Sequence, residues 1–134
     1  KSRFKAPQTA QSIMEGGIRF RITDRDEDYF LTMPSIFAHG LLLGTLRMEI
    51  GGKAEIICEK TGLRAEINFK QKPMIGGEAN ALSGTIKEGK KKLFEFAGRW
   101  DTAINVTDHR GKKKSTTGLV DVRTEPVAPK ETLP

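Results

Sequence analysis

The feature that most constrains this chain is a two-residue alternation of apolar and polar side chains. In "LRAEINFK" (residues 63–70) every second side chain is apolar, and "GIRFRIT" and "KAEIICEK" repeat the pattern. Successive side chains of a β-strand point to opposite faces of the sheet, so this pattern is typical of strands with one buried face. The sequence therefore predicts an all-β chain.

Turn signals divide the alternating segments into seven or eight strands. Gly51–Gly52 is typical of a two-residue hairpin, and "TG" and "EGKK" end later strands. Closely spaced strands favour an antiparallel meander in sequence order that forms a partial or small β-barrel. The one helix that we expect is short and N-terminal, in "APQTAQSIMEGG", because Pro7 suits a first turn and Gly16 a C-terminal cap.

Composition changes near residue 108. The 134 residues suit one domain with a real core. After His109 the chain is rich in Lys, Thr, Pro and Glu, with few large apolar residues. We therefore expect residues 1–108 to form the β-barrel segment and residues 109–134 to be an extended tail or linker. The start "KSRF", which has no methionine, is interpreted as a position inside a larger domain.

The residues that commonly carry chemistry are scarce. The chain has one cysteine, Cys58, and two histidines, and no metal-ligand spacing or phosphate-binding glycine loop occurs. A Cys58–His39 nucleophile pair is disfavoured because Cys58 alternates with the inward side chains, where cysteines are usually inert. We expect no enzymatic activity, no catalytic residue, no cofactor and no metal. A single cysteine also rules out an internal disulfide framework and favours a reducing compartment.

The most apolar stretch, "DYFLTMPSIFAHGLLLGT" (residues 28–45), is interrupted by Asp28, Pro34 and His39. It falls short of the ~20 apolar residues of a spanning helix, and we interpret it as a strand, a corner at Pro34 and a second strand. Alternation places one set of side chains on one face of that second strand, Leu42, Leu46, Met48 and Ile50, and the other set on the opposite face, Thr45, Arg47 and Glu49. Pattern alone leaves open whether this barrel holds an apolar ligand or only packs.

The net charge of +6 is concentrated in "KEGKKK" (residues 87–92) and "RGKKKS" (residues 110–115). These clusters are either solvated turns or a patch for anionic headgroups or nucleic acid. Nucleic acid is disfavoured because the aromatic residues and the lysines do not share a face.

Four longer segments resemble the lipid-binding domain of the oxysterol-binding-protein-related family: "EDYFLTMP", "GLLLGTLRMEIGGKAEIICEKTGLRAEINFKQKP", "NALSGTIKEGKKKLFEFAGRWD" and the initial "KSRF". The resemblance covers residues 1 to about 108 and is partial, since the family signature "EQVSHHPP" and the N-terminal lid are missing from this sequence. It implies a non-enzymatic, cytosolic lipid carrier that is peripheral at organelle membranes and their contact sites, with a large β-barrel around one sterol or phospholipid. Many members exchange that lipid for phosphatidylinositol 4-phosphate, whose headgroup is held by the histidine pair of the missing signature.

The resemblance also implies lipid-binding positions, namely Ala38, Leu42, Leu46 and Met48 on a tunnel wall, Met14 near the ligand and Lys1 near the entrance. The expected partners are a sterol or phospholipid and, peripherally, anionic membranes. A partial barrel exposes unpaired strand edges, so self-association through these edges is expected as well. A structural or interaction module that has lost the lipid site is the alternative function.

Overall fold

The computed structural model describes residues 2–5, 9–40, 44–73 and 76–124. These residues form eleven strands and a short 3₁₀ turn at Thr23–Arg25. The strands are β1 Ser2–Lys5, β2 Thr9–Met14, β3 Gly17–Ile22, β4 Glu27–Thr32, β5 Ser35–His39, β6 Arg47–Cys58, β7 Leu63–Lys70, β8 Ala81–Glu88, β9 Lys91–Arg99, β10 Ala103–Asp108 and β11 Ser115–Asp121. The predicted all-β class is confirmed.

All strands belong to one antiparallel sheet whose main path is β1-β2-β5-β6-β7-β8-β9-β10-β11. The path ends at β1 and β11, so within the described residues the sheet is open rather than a closed barrel. From β6 onward the strands follow sequence order, as the meander prediction requires. The N-terminal half departs from it, because β5 returns beside β2, and β4 and β5 both pair with β6.

Cross-strand pairs line up one apolar face across the middle of the sheet. One row runs from Leu31 through Ile56, Ala65 and Ile86 to Phe94, in which each residue lies opposite the next. Directly opposed residues share a face, so the row joins five strands into one apolar stripe. The alternation in the sequence therefore predicts the side-chain direction correctly here.

The predicted N-terminal helix is wrong. The described part of that segment is β2, which pairs with β1 from Gln11 to Met14 and with β5 from Thr9 to Ser12. The β-branched Thr9 and Ile13 suit an extended chain, and two flanking strands satisfy the backbone of β2, which outweighs a weak helical pattern.

The predicted boundary at residue 108 does not coincide with the end of the sheet. Ser115–Asp121 forms β11, which pairs with β10 along its length and includes a register shift beside Asn105. Apart from Leu119, the exposed residues of β11 are polar or small, so its composition resembles that of a linker although its backbone pairs with β10. Residues 125–134 of the predicted tail lie outside the described residues.

Gly51–Gly52 is not a hairpin turn but lies inside the twelve-residue strand β6. Leu31 lies opposite Ile56, and Ser35 lies opposite Gly51. Between these two pairs the chain advances by four residues from β4 to β5 but by five residues along β6. The extra residue makes a β-bulge, and Gly52 has φ +92°, a left-handed conformation that favours glycine. A bulge inverts the alternation, so the faces of β6 exchange at this point.

Few side chains are fully enclosed. The buried apolar residues of the described chain are Ala54, Cys58 and Leu82, and most of the apolar stripe is half-buried. No helix in the described ranges is long and apolar enough to cross a membrane. The single sheet therefore leaves apolar surface on both of its sides.

Candidate functional site: an apolar surface on β5 and β6

The candidate site is a row of apolar side chains on β5 and the first half of β6. Ala38 lies opposite Met48 and Ile36 opposite Ile50, so all four share one face. Ile36 is 40% exposed and Met48 is 59% exposed, whereas Ala38 and Ile50 are half-buried. We name Ile36, Ala38, Met48 and Ile50 the β5–β6 surface.

The bulge at Gly52 decides which way this surface points. A side chain at Gly51 would meet Phe37 and Gln71, so these two side chains approach from the face of Gly51. Gln71 comes two residues after Phe69, which lies opposite Gly52 and Leu82 in the apolar stripe of the sheet. Phe37 therefore continues that stripe, and the β5–β6 surface lies on the reverse side.

A charged cluster lies behind the β5–β6 surface, on the face of Phe37. The carboxylate of Glu49 is only 6% exposed and lies 2.9 Å from Arg47 Nε and 3.6 Å from His39 Nε2. The Arg47 contact is an ion pair without a well-aligned hydrogen bond. The His39 ring stacks on Phe37 with centroids 6.2 Å apart. These contacts hold β5 against β6 on the face of the sheet opposite the β5–β6 surface.

The structure brings together two of the sequence-predicted lipid contacts, Ala38 and Met48. Leu46 comes two residues before Met48, outside the strand, and is 63% exposed. Met14 is the last residue of β2, and Leu42 and Lys1 lie outside the described residues. The lipid-contacting role of all six stays a prediction.

Sequence reasoning missed two features of this region. Ile36 extends the surface onto β5, and the pattern "SIFAH" carries the alternation that could have indicated it. Met48 and Glu49 lie on opposite faces as the alternation predicts, but Glu49 is the buried residue and Met48 the exposed one, the reverse of the usual arrangement of apolar and polar faces. The bulge causes this exchange, and the two glycines carry the only signal for it in the sequence.

A second concavity, of about 470 Å³, lies at the opposite end of β4 and β6. Two of its cations are engaged in the neighbouring turn: Arg21 pairs with Asp26 and Asp28, and Lys60 donates to the carbonyl oxygens of Arg25 and Asp26. The third, Arg19, lies over the Phe30 ring, 5.8 Å from its centroid.

Tyr29 also lines that concavity, and its hydroxyl donates a 2.7 Å hydrogen bond to Glu27. This bond raises the pKa of Tyr29 to about 12. The phenol therefore stays protonated near neutral pH and is poorly suited to act as a base. Among the described residues no group of three or more His, Cys, Asp or Glu could hold a metal ion.

The fold and the site together define a class of protein segment, which in the described residues is an open antiparallel sheet with an exposed apolar surface on it. Such a surface suits contact with an apolar ligand or with another protein element.

The sequence profile of the oxysterol-binding protein family matches residues 1–132, and the chain belongs to this family. It is 39% identical over 112 residues to human oxysterol-binding protein-related protein 8, covering 82% of this chain and 12% of that protein. The solved Osh1 ORD domain in complex with ergosterol is similar with a TM-score of 0.68 and 20% identity, covering 90% of this chain and 33% of that one. The Osh3 ORD of Saccharomyces cerevisiae in complex with PI(4)P has a TM-score of 0.64 and 21% identity, covering 77% and 28%. This chain thus spans between 12% and 33% of these proteins.

Proposed function

We propose that this chain forms part of the wall of a lipid-binding cavity, with the β5–β6 surface in contact with the lipid. The observation that carries the proposal is the exposure of Met48 and Ile36 on one face, opposite and beside Ala38. An exposed row of apolar side chains on paired strands is typical of an interaction site, and contact with a sterol or an acyl chain would remove its apolar surface from water. Family membership and the sterol and PI(4)P complexes of similar domains support a lipid as the contacting molecule.

In the protein that contains this chain, the proposed activity is transfer of a sterol or phospholipid between cytoplasmic membrane faces at organelle contacts. Exchange for phosphatidylinositol 4-phosphate belongs to that protein as a whole. The residues of this chain bind and orient the lipid and perform no chemistry on it.

Lipid extraction from liposomes tests the proposal. The protein is mixed with liposomes that carry labelled sterol, phosphatidylserine or phosphatidylinositol 4-phosphate, and the label is counted in the soluble fraction. We expect Met48→Glu to lower extraction at least tenfold, because the transfer of a large apolar side chain to lipid is worth about 1.5–3 kcal/mol and a charge opposes it.

Leu119→Glu is the matched control, because Leu119 is 60% exposed, against 59% for Met48, and lies on β11 far along the sheet. Both variants change the charge equally, so only the location differs. Equal extraction by the two folded variants would contradict the assignment of the β5–β6 surface. Extraction of no lipid by the unaltered protein would contradict lipid binding altogether.

A structural or interaction module is the second candidate, and the edge strand β3 favours it. Ile18, Phe20 and Ile22 of β3 are 49%, 42% and 37% exposed, and β3 pairs only with β4 among the described strands. An apolar edge of this kind suits packing against another protein element. Retained association with a protein partner but no lipid extraction would support this alternative.

A further inference from the structure

The two lysine-rich segments of the chain meet at one end of the sheet. β9 and β10 are adjacent and antiparallel, so the β8–β9 turn and the β10–β11 loop leave the sheet side by side. Asp108 lies opposite Phe94, and the backbone N–H of His109 donates a 2.8 Å hydrogen bond to the carbonyl of Leu93. Two clusters that are about twenty residues apart in sequence therefore form one surface.

The two segments together carry a formal charge equal to the net charge of the whole chain. Residues 87–92 contain four lysines and one glutamate, and residues 108–114 contain three lysines, one arginine and one aspartate. Each segment thus has a formal charge of +3, and together they equal the net charge of +6 of all 134 residues. The rest of the chain is balanced, so the charge is concentrated at one end rather than spread over the surface.

Part of this charge is used to fasten the two segments to the sheet. Arg110 holds Asp108 at 2.7 Å and lies over the Phe94 ring at 4.5 Å, which anchors the start of the β10–β11 loop. Lys92 pairs with Glu95 at 3.4 Å.

Within the two described segments, residues 87–92 and 108–114, five exposed lysines have no ion pair. We name them the basic platform: Lys90, Lys91, Lys112, Lys113 and Lys114.

We propose that the basic platform docks the protein on an anionic phospholipid bilayer. The inference names a membrane partner for the proposed lipid-binding function and rests on that function for the choice of a bilayer over a nucleic acid. The side chains agree with this choice, because the platform consists of flexible lysines, which act as point charges for mobile headgroups. Phe94, the ring beside the platform, is half-buried beneath Arg110 and is not available to stack on a base.

The platform and the β5–β6 surface lie at opposite ends of the sheet. Leu63 lies opposite both Cys58 and Glu88, so the end of β6 marks the platform end, whereas Met48 lies near the start of β6. Ten residues of strand separate Met48 from Cys58, which corresponds to about 33 Å at about 3.3 Å per residue. Membrane docking and lipid contact can therefore be tested by separate substitutions.

Vesicle co-sedimentation of the whole chain provides the test. The vesicles contain phosphatidylcholine alone or phosphatidylcholine mixed with phosphatidylserine, at low and at high salt. The platform variant carries Lys112→Gln, Lys113→Gln and Lys114→Gln. The control carries Lys53→Gln, Lys70→Gln and Lys72→Gln, which removes the same charge from exposed lysines near the opposite end.

We expect binding to phosphatidylserine vesicles at low salt, and a platform variant that binds on the order of a hundredfold more weakly, because each of the three lysines contributes about 1 kcal/mol near an anionic membrane, which is about a fivefold factor. The control should keep most of the affinity, and high salt should weaken the binding of both. Equal losses in the two variants, or no binding by the unaltered protein at low salt, would overturn the platform. Displacement of the vesicles by a single-stranded oligonucleotide at comparable concentration would overturn the choice of a bilayer.

Co-sedimentation measures vesicle binding alone, and lipid extraction is measured in the separate liposome experiment described above. Vesicle binding without extraction would leave the platform standing and contradict the proposed function, and extraction without platform-dependent binding would do the reverse.

Discussion

Replacement of Gly52 by alanine tests whether the bulge in β6 depends on a left-handed backbone. Gly52 has φ +92°, and a Cβ built there meets only the Ser35 nitrogen, at 4.0 Å. Space is therefore available, and the cost of Gly52→Ala is the conformation itself. A non-glycine L-residue in this region costs about 1–2 kcal/mol, and we expect a loss of stability of that size.

Gly118→Ala is the matched control. Gly118 also lies in a strand with nothing within 4 Å of an added Cβ, but its φ is not positive. Alanine there reduces the entropy of the unfolded chain, so we expect no loss and a gain of up to about 1 kcal/mol. The two variants add the same methyl group to open positions in strands, so their difference isolates the backbone conformation of Gly52.

Urea unfolding followed by circular dichroism measures the free energy of unfolding of both variants. The two values are compared where the dependence on urea concentration, the m-value, is unchanged, so that only stability differs. A difference of about 2 kcal/mol corresponds to several degrees in Tm for a chain of this length. Equal stability of Gly52→Ala and Gly118→Ala would refute the left-handed bulge.

Three further predictions follow from the charges and the open edges. Arg47→Gln removes the nearest cation from the buried carboxylate of Glu49 and should cost about 1–2 kcal/mol in urea unfolding, whereas Arg123→Gln, at an exposed pair, should cost at most about 1 kcal/mol. Arg110 holds the pKa of Asp108 at about 2, so this pair stabilises the fold above about pH 4 and the contribution disappears as the pH falls towards 2. In Arg110→Gln the Asp108 carboxyl should titrate nearer its ordinary value by NMR, and an unchanged titration would contradict the pairing. Size-exclusion chromatography with light scattering should show self-association at micromolar concentration, and a clean monomer that also excludes lipid would contradict the open-edge hypothesis.

The sequence predicts the second half of the sheet well, because alternation and local turns determine it together. From β6 to β10 each strand pairs with the next, through short connections except for the longer segment 71–80 between β7 and β8. Leu63, Ala65 and Ile67 lie on the face that their period assigns. Such local pairings need no knowledge of distant segments. The β7 segment "LRAEINFK" is the clearest example, since it forms Leu63–Lys70 without a register shift.

The first half depends on contacts between distant segments, which no local pattern contains. Thr9–Met14 becomes a strand because β5, more than twenty residues later, pairs with it. Ser115–Asp121 becomes a strand because β10 offers a partner edge, although its own composition is typical of a linker. In both segments tertiary pairing outweighs weak local preference.

The candidate site was predicted only in part for the same reason. Ala38 and Met48 share a face, which follows from their pairing across β5 and β6, and the resemblance to the family named both residues. The side of the sheet on which they lie depends on one inserted residue at Gly51–Gly52. A hairpin and a bulge use the same glycines, and only the pairing of both flanking strands distinguishes them.

The bulge links the stability of this chain to its proposed function. Without the extra residue in β6, pairing of β5 with β6 would put Met48 on the face of the apolar stripe and Glu49 on the exposed reverse side. With it, Glu49 is enclosed beside Arg47 and His39, and Met48 is left exposed for a ligand. Burial of a carboxylate and exposure of a methionine both oppose the folding of an isolated sheet, whereas a bound lipid would cover Met48 and offset part of that cost. Ligand binding should therefore raise the stability of the unaltered protein more than that of Met48→Glu.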